Sequence, residues 1–222
     1  MLQCYQINIC FNSSTKIGNN KEISRNVVTN ILDSLTEDDY VTILAFANNV
    51  TPIAECFGNK LVQSNPQNIR IFKENLEYFE TYQKANFSIA LIEAFEILQF
   101  ANRSKLGAQC NQAIMIVTSG EDGDYDSLFQ QYVAPFAQYN YPRIPIRVFT
   151  YQIGKESQNE VSDDMACKNR GYAFNVPSMA DVREQVHKYV PIMSRPIVLS
   201  ATRPFVYTSV YTDLRVSISA VI

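Results

Sequence analysis

The feature that most constrains this chain is a pair of apolar runs, far apart in sequence, that each empty into a small polar loop. Tyr5-Gln6-Ile7-Asn8-Ile9-Cys10-Phe11 leads into Asn12-Ser13-Ser14-Thr15. Ala113-Ile114-Met115-Ile116-Val117-Thr118 leads into Ser119-Gly120-Glu121-Asp122-Gly123. Short β-prone runs of this kind suit the central strands of a parallel sheet covered on both faces. In open α/β sheets, ligands sit beyond the carboxyl ends of such strands. Chemistry is therefore expected at Cys10–Ser14 and Ser119–Asp124, and those loops are poor in ligand groups.

The rest of the chain fits around these two strands. Ile23, Val27, Val28, Ile31, Leu32 and Leu35 recur at helical spacing and end at the polar turn Thr36-Glu37-Asp38-Asp39. Tyr40–Phe46 reads as a strand. Asn48-Asn49 turns the chain, and Val50–Cys56 returns as an antiparallel partner, with Pro52 placing it at an edge. Asn65-Pro66 has the form of an N-cap followed by a first helical residue, with Ile69, Phe72, Leu76 and Phe79 on one face. A loop over Thr81–Ala85 leads to Asn86 and a helix with Leu91, Ala94, Phe95 and Leu98 on its face, stopping near Asn102. A helix over Asp126–Phe136, a strand over Ile146–Ile153, a helix over Gln158–Lys168 and a strand over Tyr172–Val176 follow. Ser178-x-x-Asp181 resembles a capping box and opens a helix with Val182, Val186, Tyr189, Val190 and Met193 inward. After Pro196 the pattern alternates over Val206–Val210 and Leu214–Ile222, like strands of another unit.

Strands alternating with helices predict an α/β fold: a doubly wound, mainly parallel sheet with one antiparallel edge strand and helices on both faces. The division expected is one domain over 1–196 and the start of a following β region over 197–222. Because Met1 is followed almost at once by a core strand, a signal peptide is not expected, and the chain reads as a segment of a longer protein. Net charge is −3, without a basic run, so nucleic acid is a poor ligand. No apolar stretch reaches the roughly 20 residues a membrane span needs. Five cysteines, Cys4, Cys10, Cys56, Cys110 and Cys167, include no C-x-x-C pair, which gives zinc no support. Four N-x-S/T sequons, at Asn12, Asn49, Asn86 and Asn102, point to the secretory pathway.

With serines after the first strand and a glycine loop after Ala113–Thr118, this order resembles the von Willebrand factor A domain. Three stretches narrow the likeness: Leu32–Val41 at a helix-to-strand junction, Met165–Tyr172 with Val176-Pro177-Ser178 around the last strand, and Ser194-Arg195-Pro196 with Val210–Asp213 at the exit. They are similar to the alpha-2-delta auxiliary subunits of voltage-gated calcium channels. The resemblance implies a large, glycosylated parent protein at the extracellular face of the plasma membrane. Its A domain would contact the pore-forming channel subunit and support trafficking, usually through a divalent ion at a metal-ion-dependent adhesion site.

That site uses an Asp-x-Ser-x-Ser loop, a Thr before the third helix, and an Asp after the fourth strand. A hard cation wants oxygen ligands with carboxylates to offset its charge. Alignment on this pattern puts Cys10 at the first Asp, Asn12 and Ser14 at the serines, Ala85 at the Thr and Ser119 at the second Asp. Both carboxylates are gone, so tight divalent binding is not expected and no cofactor is assigned. Glu121, Asp122, Asp124 and Asp126 follow closely. They read as a solvated acidic loop before a helix N-terminus, with a substitute metal site as the other reading. Asn12, Ser14, Asn86, Ser119 and Glu121 are the candidate partner-binding positions, and a glycan on Asn12 or Asn86 would cover the site mouth.

His187, the single histidine, has no orienting partner in sequence and reads as a surface residue. A Cys10–His187 nucleophile would need the fold to join them, and a small buried cysteine is the ordinary reading. Cys56 and Cys110 could pair. The resemblance implies that Cys167 can bond to another part of the parent protein, and each of the three could equally be a plain thiol. Three functions follow in order: a non-catalytic interaction module of an alpha-2-delta-like subunit, a diverged adhesion or matrix A domain binding another cell-surface protein without metal, and an enzyme. The enzyme reading is weakest, because Asn12–Gly18 lacks the phosphate-loop pattern.

Overall fold

The computed structural model describes residues 4–12, 19–78, 86–104, 110–119, 125–133, 146–154 and 160–198. In chain order the elements are β1 (Tyr5–Asn12), α1 (Asn19–Asp33), β2 (Tyr40–Phe46), β3 (Val50–Pro52), β4 (Val62–Gln63), α2 (Pro66–Tyr78) and α3 (Phe87–Arg103). They continue as β5 (Asn111–Thr118), α4 (Asp126–Val133), β6 (Arg147–Ile153), α5 (Glu160–Lys168), β7 (Tyr172–Val176), α6 (Val182–His187) and α7 (Tyr189–Val198). The sheet order is β3-β2-β1-β5-β6-β7, with β4 also paired to β2. β1 lies parallel between β2 and β5, and β6 and β7 extend the parallel run. The doubly wound, mainly parallel sheet is therefore present, with one difference at its edge. Val50–Cys56 is not one strand: β3 stops at Pro52, a 3-10 turn covers Glu55–Phe57, and the short β4 takes up the antiparallel pairing farther along β2. Proline removes a ladder donor, which shortens the strand.

Each face of the sheet packs its own apolar cluster. Ile7, Ile9, Phe11, Ile43, Met115 and Tyr151 meet α1, α2, α6 and α7 through residues such as Val27, Phe72, Val186 and Met193. On the other face Leu44, Ile114, Ile116 and Val148 meet α3, α4 and α5 through Leu91, Phe95, Phe129 and Met165. The expected helix faces are the buried ones, although Leu35, Ile69 and Val190 are only partly covered. Asn65 caps α2 as its sequence foretells, its Oδ1 accepting from Asn68 N–H at 2.8 Å. The Ser178 motif behaves differently. Its Oγ bonds the Asp181 carboxylate at 2.6 Å instead of a backbone amide, a 3-10 turn precedes α6, and the expected single helix is broken between His187 and Tyr189. α7 runs through Pro196 to Val198. Phe79, Pro135 and the segments Val206–Val210 and Leu214–Ile222 lie outside the described residues.

Two features tie the amino ends of the central strands. Cys4 and Cys110 form a disulfide, and Asn111 N–H donates to Cys4 O at 3.0 Å. The Cys56–Cys110 pairing is thus corrected: Cys110 is buried against Cys4 at the sheet base, while Cys56 is exposed and free in the 3-10 turn. Asp39, read from sequence as part of a polar turn, is almost fully buried. Its carboxylate accepts from Tyr5 N–H at 2.8 Å, Thr36 N–H at 2.7 Å and Thr36 Oγ–H at 3.0 Å. It clamps the start of β1 to the α1–β2 turn.

The end of α5 fixes the start of β7. Gly171 N–H reaches Ala166 O at 2.9 Å and Arg170 N–H reaches Cys167 O at 3.3 Å, the two bonds of a Schellman ending. A Cβ on Gly171 would sit 1.7 Å from Val148 O, so only glycine fits there. Arg170 takes the left-handed position at φ 59°, where a side chain costs roughly 1–2 kcal/mol relative to glycine.

Replacing Asp39 with Ala leaves the partly buried Tyr5 amide and the Thr36 amide without their acceptor. The expected loss is about 1–2 kcal/mol of unfolding free energy in urea titration. A change below about 0.5 kcal/mol would mean the clamp does not hold the strand.

Candidate functional site

Alternation along β1 places Ile7, Ile9 and Phe11 toward α1 and α7, and Cys10 toward α3, where it packs with Leu44, Phe46 and Ile116. Gln6, Asn8 and Asn12 share the parity of Cys10. All four are buried, so the most central strand carries a polar stripe inside the core. Near its amino end Gln112 Nε2–H donates to Gln6 Oε1 at 2.7 Å and to Leu98 O at 3.1 Å, and Asn102 Nδ2–H reaches Gln112 Oε1 at 3.2 Å. The Nδ2 group of Asn8 is fully buried and makes no hydrogen bond. Such a group costs roughly 1–3 kcal/mol.

Cys10 is the key member. Its Sγ–H faces two oxygens, Asn8 Oδ1 at 3.8 Å and Ala90 O at 3.9 Å. Burial pushes its thiol up to about 12 from an ordinary 9.0, so it is neutral and no nucleophile at physiological pH. His187 is exposed on α6, which packs on the opposite sheet face, so no Cys–His pair forms. Two residues on, Asn12 turns its carboxamide inward and donates from Nδ2 to Thr118 Oγ1 at 3.1 Å across the β1 and β5 ends. Ser119, partly exposed, follows directly, and Asn86 caps α3 with Oδ1 accepting from Ile89 N–H at 3.4 Å. Asn86 N–H in turn donates to Ala47 O at 2.9 Å beyond the end of β2. The fold therefore brings Cys10, Asn12, Asn86 and Ser119 to the carboxyl end of the central strands. None of these four side chains carries a charge. Ser14, Ala85, Glu121, Asp122 and Asp124 lie outside the described residues. Among the described residues, no group of three or more His, Cys, Asp or Glu side chains could hold a metal ion.

Asn12 needs a correction as a glycosylation candidate. The nitrogen that would carry the sugar is buried and bonded to Thr118, whereas Asn49, Asn86 and Asn102 are exposed. Cys167 is exposed and free at the end of α5. Beside the site, at the same end of the sheet, a cleft of about 550 Å³ lies between the start of α1 and the ends of β6 and β7. Asn20, Ile23, Gly154, Pro177, Ser178 and Met179 line it. Sequence reasoning missed this cleft, whose lining comes from the start of α1, Gly154 after β6 and the turn after β7, which no single motif marks.

The von Willebrand factor type A domain family matches residues 7–188. The chain belongs to the von Willebrand factor type A family. It is 36% identical over 192 residues to the human voltage-dependent calcium channel subunit alpha-2/delta-4, covering 86% of this chain and 16% of the relative. The human alpha-2/delta-3 subunit is also 36% identical, over 194 residues, with 86% of this chain and 17% of the relative covered. The Caenorhabditis elegans calcium channel protein unc-36 is 26% identical over 235 residues, covering 83% of this chain and 18% of the relative. The chain thus spans about one sixth of the length of these relatives. Among solved structures, a von Willebrand factor type A protein from Catenulispora acidiphila overlays with TM-score 0.65 at 14% identity, covering 86% of this chain and 43% of that one. A mussel byssus proximal thread matrix protein overlays with TM-score 0.62 at 12% identity, covering 86% and 48%. These overlays match the fold read from the strand order.

Two outcomes are expected from the thiols. With one disulfide among five cysteines, a native protein should release two fast thiol equivalents, from Cys56 and Cys167, and a third from Cys10 only in denaturant. Three fast thiols would contradict the burial of Cys10. Cys10 and Tyr189 both bind their protons more tightly folded than unfolded, with ordinary values of 9.0 and 10.0 pushed up to about 12. Stability is therefore complete below about pH 9 and falls as pH rises toward about 12. A melting temperature flat across that window would contradict it.

Proposed function

We propose that this chain is a non-catalytic, extracellular interaction module of an alpha-2-delta-like calcium channel auxiliary subunit. On this reading its adhesion-type metal site is degenerate, and it supports the binding and trafficking of a pore-forming subunit without a tightly held divalent ion. The observation that carries this is Cys10: a buried, neutral thiol stands where the metal-binding pattern needs a carboxylate, beside an Asn12 whose carboxamide donates to Thr118. Neutral groups cannot offset a divalent charge. The 36% identity to human alpha-2/delta subunits supports the channel assignment. The Cys4–Cys110 disulfide supports an oxidising compartment. No helix among the described residues is long and apolar enough to cross a membrane. Attachment would come from the remainder of the parent protein, to which exposed Cys167 is free to bond. The region over 197–222 would begin the next unit of that parent.

Two experiments test this reading. The full-length protein, co-expressed with a pore-forming calcium channel subunit, should co-purify with it and raise its surface density, and excess EDTA should leave the complex intact. Loss of the complex in EDTA would overturn the metal-independent mode. No association at all would favour the adhesion or matrix reading. In the second, the double substitution Cys10→Asp and Ser119→Asp places a carboxylate against Asn8 Oδ1 and Ala90 O. It should lower the melting temperature without ions and recover stability with Mg²⁺. No gain with Mg²⁺ would mean the loops do not correspond to the metal-binding pattern.

A further inference from the structure

The fold treats the sequons of this chain differently. A glycan on a folded domain needs an amide nitrogen that points to solvent, and the acceptor triplet also needs its hydroxyl. Asn12 misses the first condition, because its Nδ2 is buried against Thr118. Asn102 sits in the last turn of α3 and donates its Nδ2–H to Gln112 Oε1 at 3.2 Å. The hydroxyl of that triplet is engaged as well, with Ser104 Oγ facing Phe100 O at 2.8 Å and Ala101 O at 3.2 Å. Asn86 turns its Oδ1 to the Ile89 amide as the cap of α3, and buried Phe87 stands between it and half-buried Ser88.

Asn49 carries none of these ties. It closes the turn between β2 and β3, where Ala47 N–H donates to Asn49 O at 3.0 Å. The backbone is thus fixed and the side chain is left outside. Val50 follows and packs toward the cluster under α3, while Asn49 and Thr51 on either side of it are exposed. In extended chain, residues i and i+2 lie on one side, so amide and hydroxyl face outward together. Neither side chain makes a hydrogen bond among the described residues.

We propose that Asn49 carries an N-linked glycan rooted beside the neutral strand ends. Asn12 lies opposite Phe46 in register, and Asn86 N–H bonds Ala47 O at 2.9 Å, so the turn stands at the end of the sheet that holds Cys10 and Ser119. The sugar comes from an oligosaccharide held on a lipid diphosphate. The Asn49 amide nitrogen bonds its anomeric carbon, the anomeric C–O bond breaks, the nitrogen gives up one proton, and the lipid diphosphate leaves.

This proposal rests on the extracellular reading above, and its test separates the two. The full-length protein is purified from cells with a secretory pathway and treated with peptide N-glycosidase in heavy-oxygen water, which turns each glycosylated Asn into a labelled Asp. Trypsin releases residues 26–60 as one fragment, in which Asn49 opens the only sequon. Mass spectrometry should find the label at Asn49. Thr51→Ala keeps the asparagine and should lose the label, and Thr51→Ser should retain it. An unlabelled Asn49 in a protein labelled at other asparagines would overturn this proposal and leave the extracellular reading standing. No label on any asparagine would overturn both. A label that persists in Thr51→Ala would be deamidation without a sugar and would also overturn the proposal.

Discussion

The pairing of β1 between β2 and β5 is the constraint on which the rest depends. Seven residues of β1 are in register with each neighbour, from Gln6 opposite Tyr40 and Tyr5 opposite Asn111 upward. A strand hydrogen-bonded on both edges and covered on both faces has no freedom to slip, because a one-residue shift would exchange Ile7, Ile9 and Phe11 for Gln6, Asn8 and Cys10. Register therefore carries Asn12 to Thr118, and the packing of α3 on that face sets Ala90 against Cys10. The base of the same strand is closed by the Asp39 carboxylate and the Cys4–Cys110 bridge. Both ends of β1 are fixed by contacts that span large sequence separations.

This pairing gives the domain two chemically different ends. At the carboxyl end, the described side chains of the site are neutral, and Asn12 and Thr118 satisfy each other directly. At the amino end of β6, Arg147 Nη1–H donates to Arg170 O, and neither side chain has a carboxylate partner among the described residues. A carboxylate at position 10 would face two oxygen acceptors in a water-excluded pocket, which is costly unless a cation sits with it. A thiol avoids that cost, and the strand ends close on themselves.

Much of this was legible in the chain. Helical spacing in Ile23–Leu32 and Leu91–Leu98 identified the faces that are buried, and the β1 and β5 runs marked the centre of the sheet. The positions of Cys10, Asn12 and Ser119 could be read because each falls at a strand end that the apolar run defines. What was not legible depends on distance. Nothing local distinguishes Asp39 from Asp38, yet only Asp39 reaches the Tyr5 amide. Cys4 lies before the first strand and gives no sign that it, and not Cys56, meets Cys110. The sequon at Asn12 looks like the other three, and its burial follows only from the β1–β5 register. Arg147 and Arg170 lie apart in sequence, and their contact exists only once β6 and the end of α5 have been assembled.

The measurement that bears most directly on the central claim is calorimetric titration of the 222-residue chain with Mg²⁺ and with Ca²⁺, read beside its thermal melt. The account expects no saturable heat and no rise in melting temperature at millimolar ion. A saturable heat with a matching rise in melting temperature would contradict it. Carboxylates such as Glu121, Asp122 or Asp124 would then be supplying the ligands that positions 10 and 119 lack, and ion-bridged partner binding would be restored.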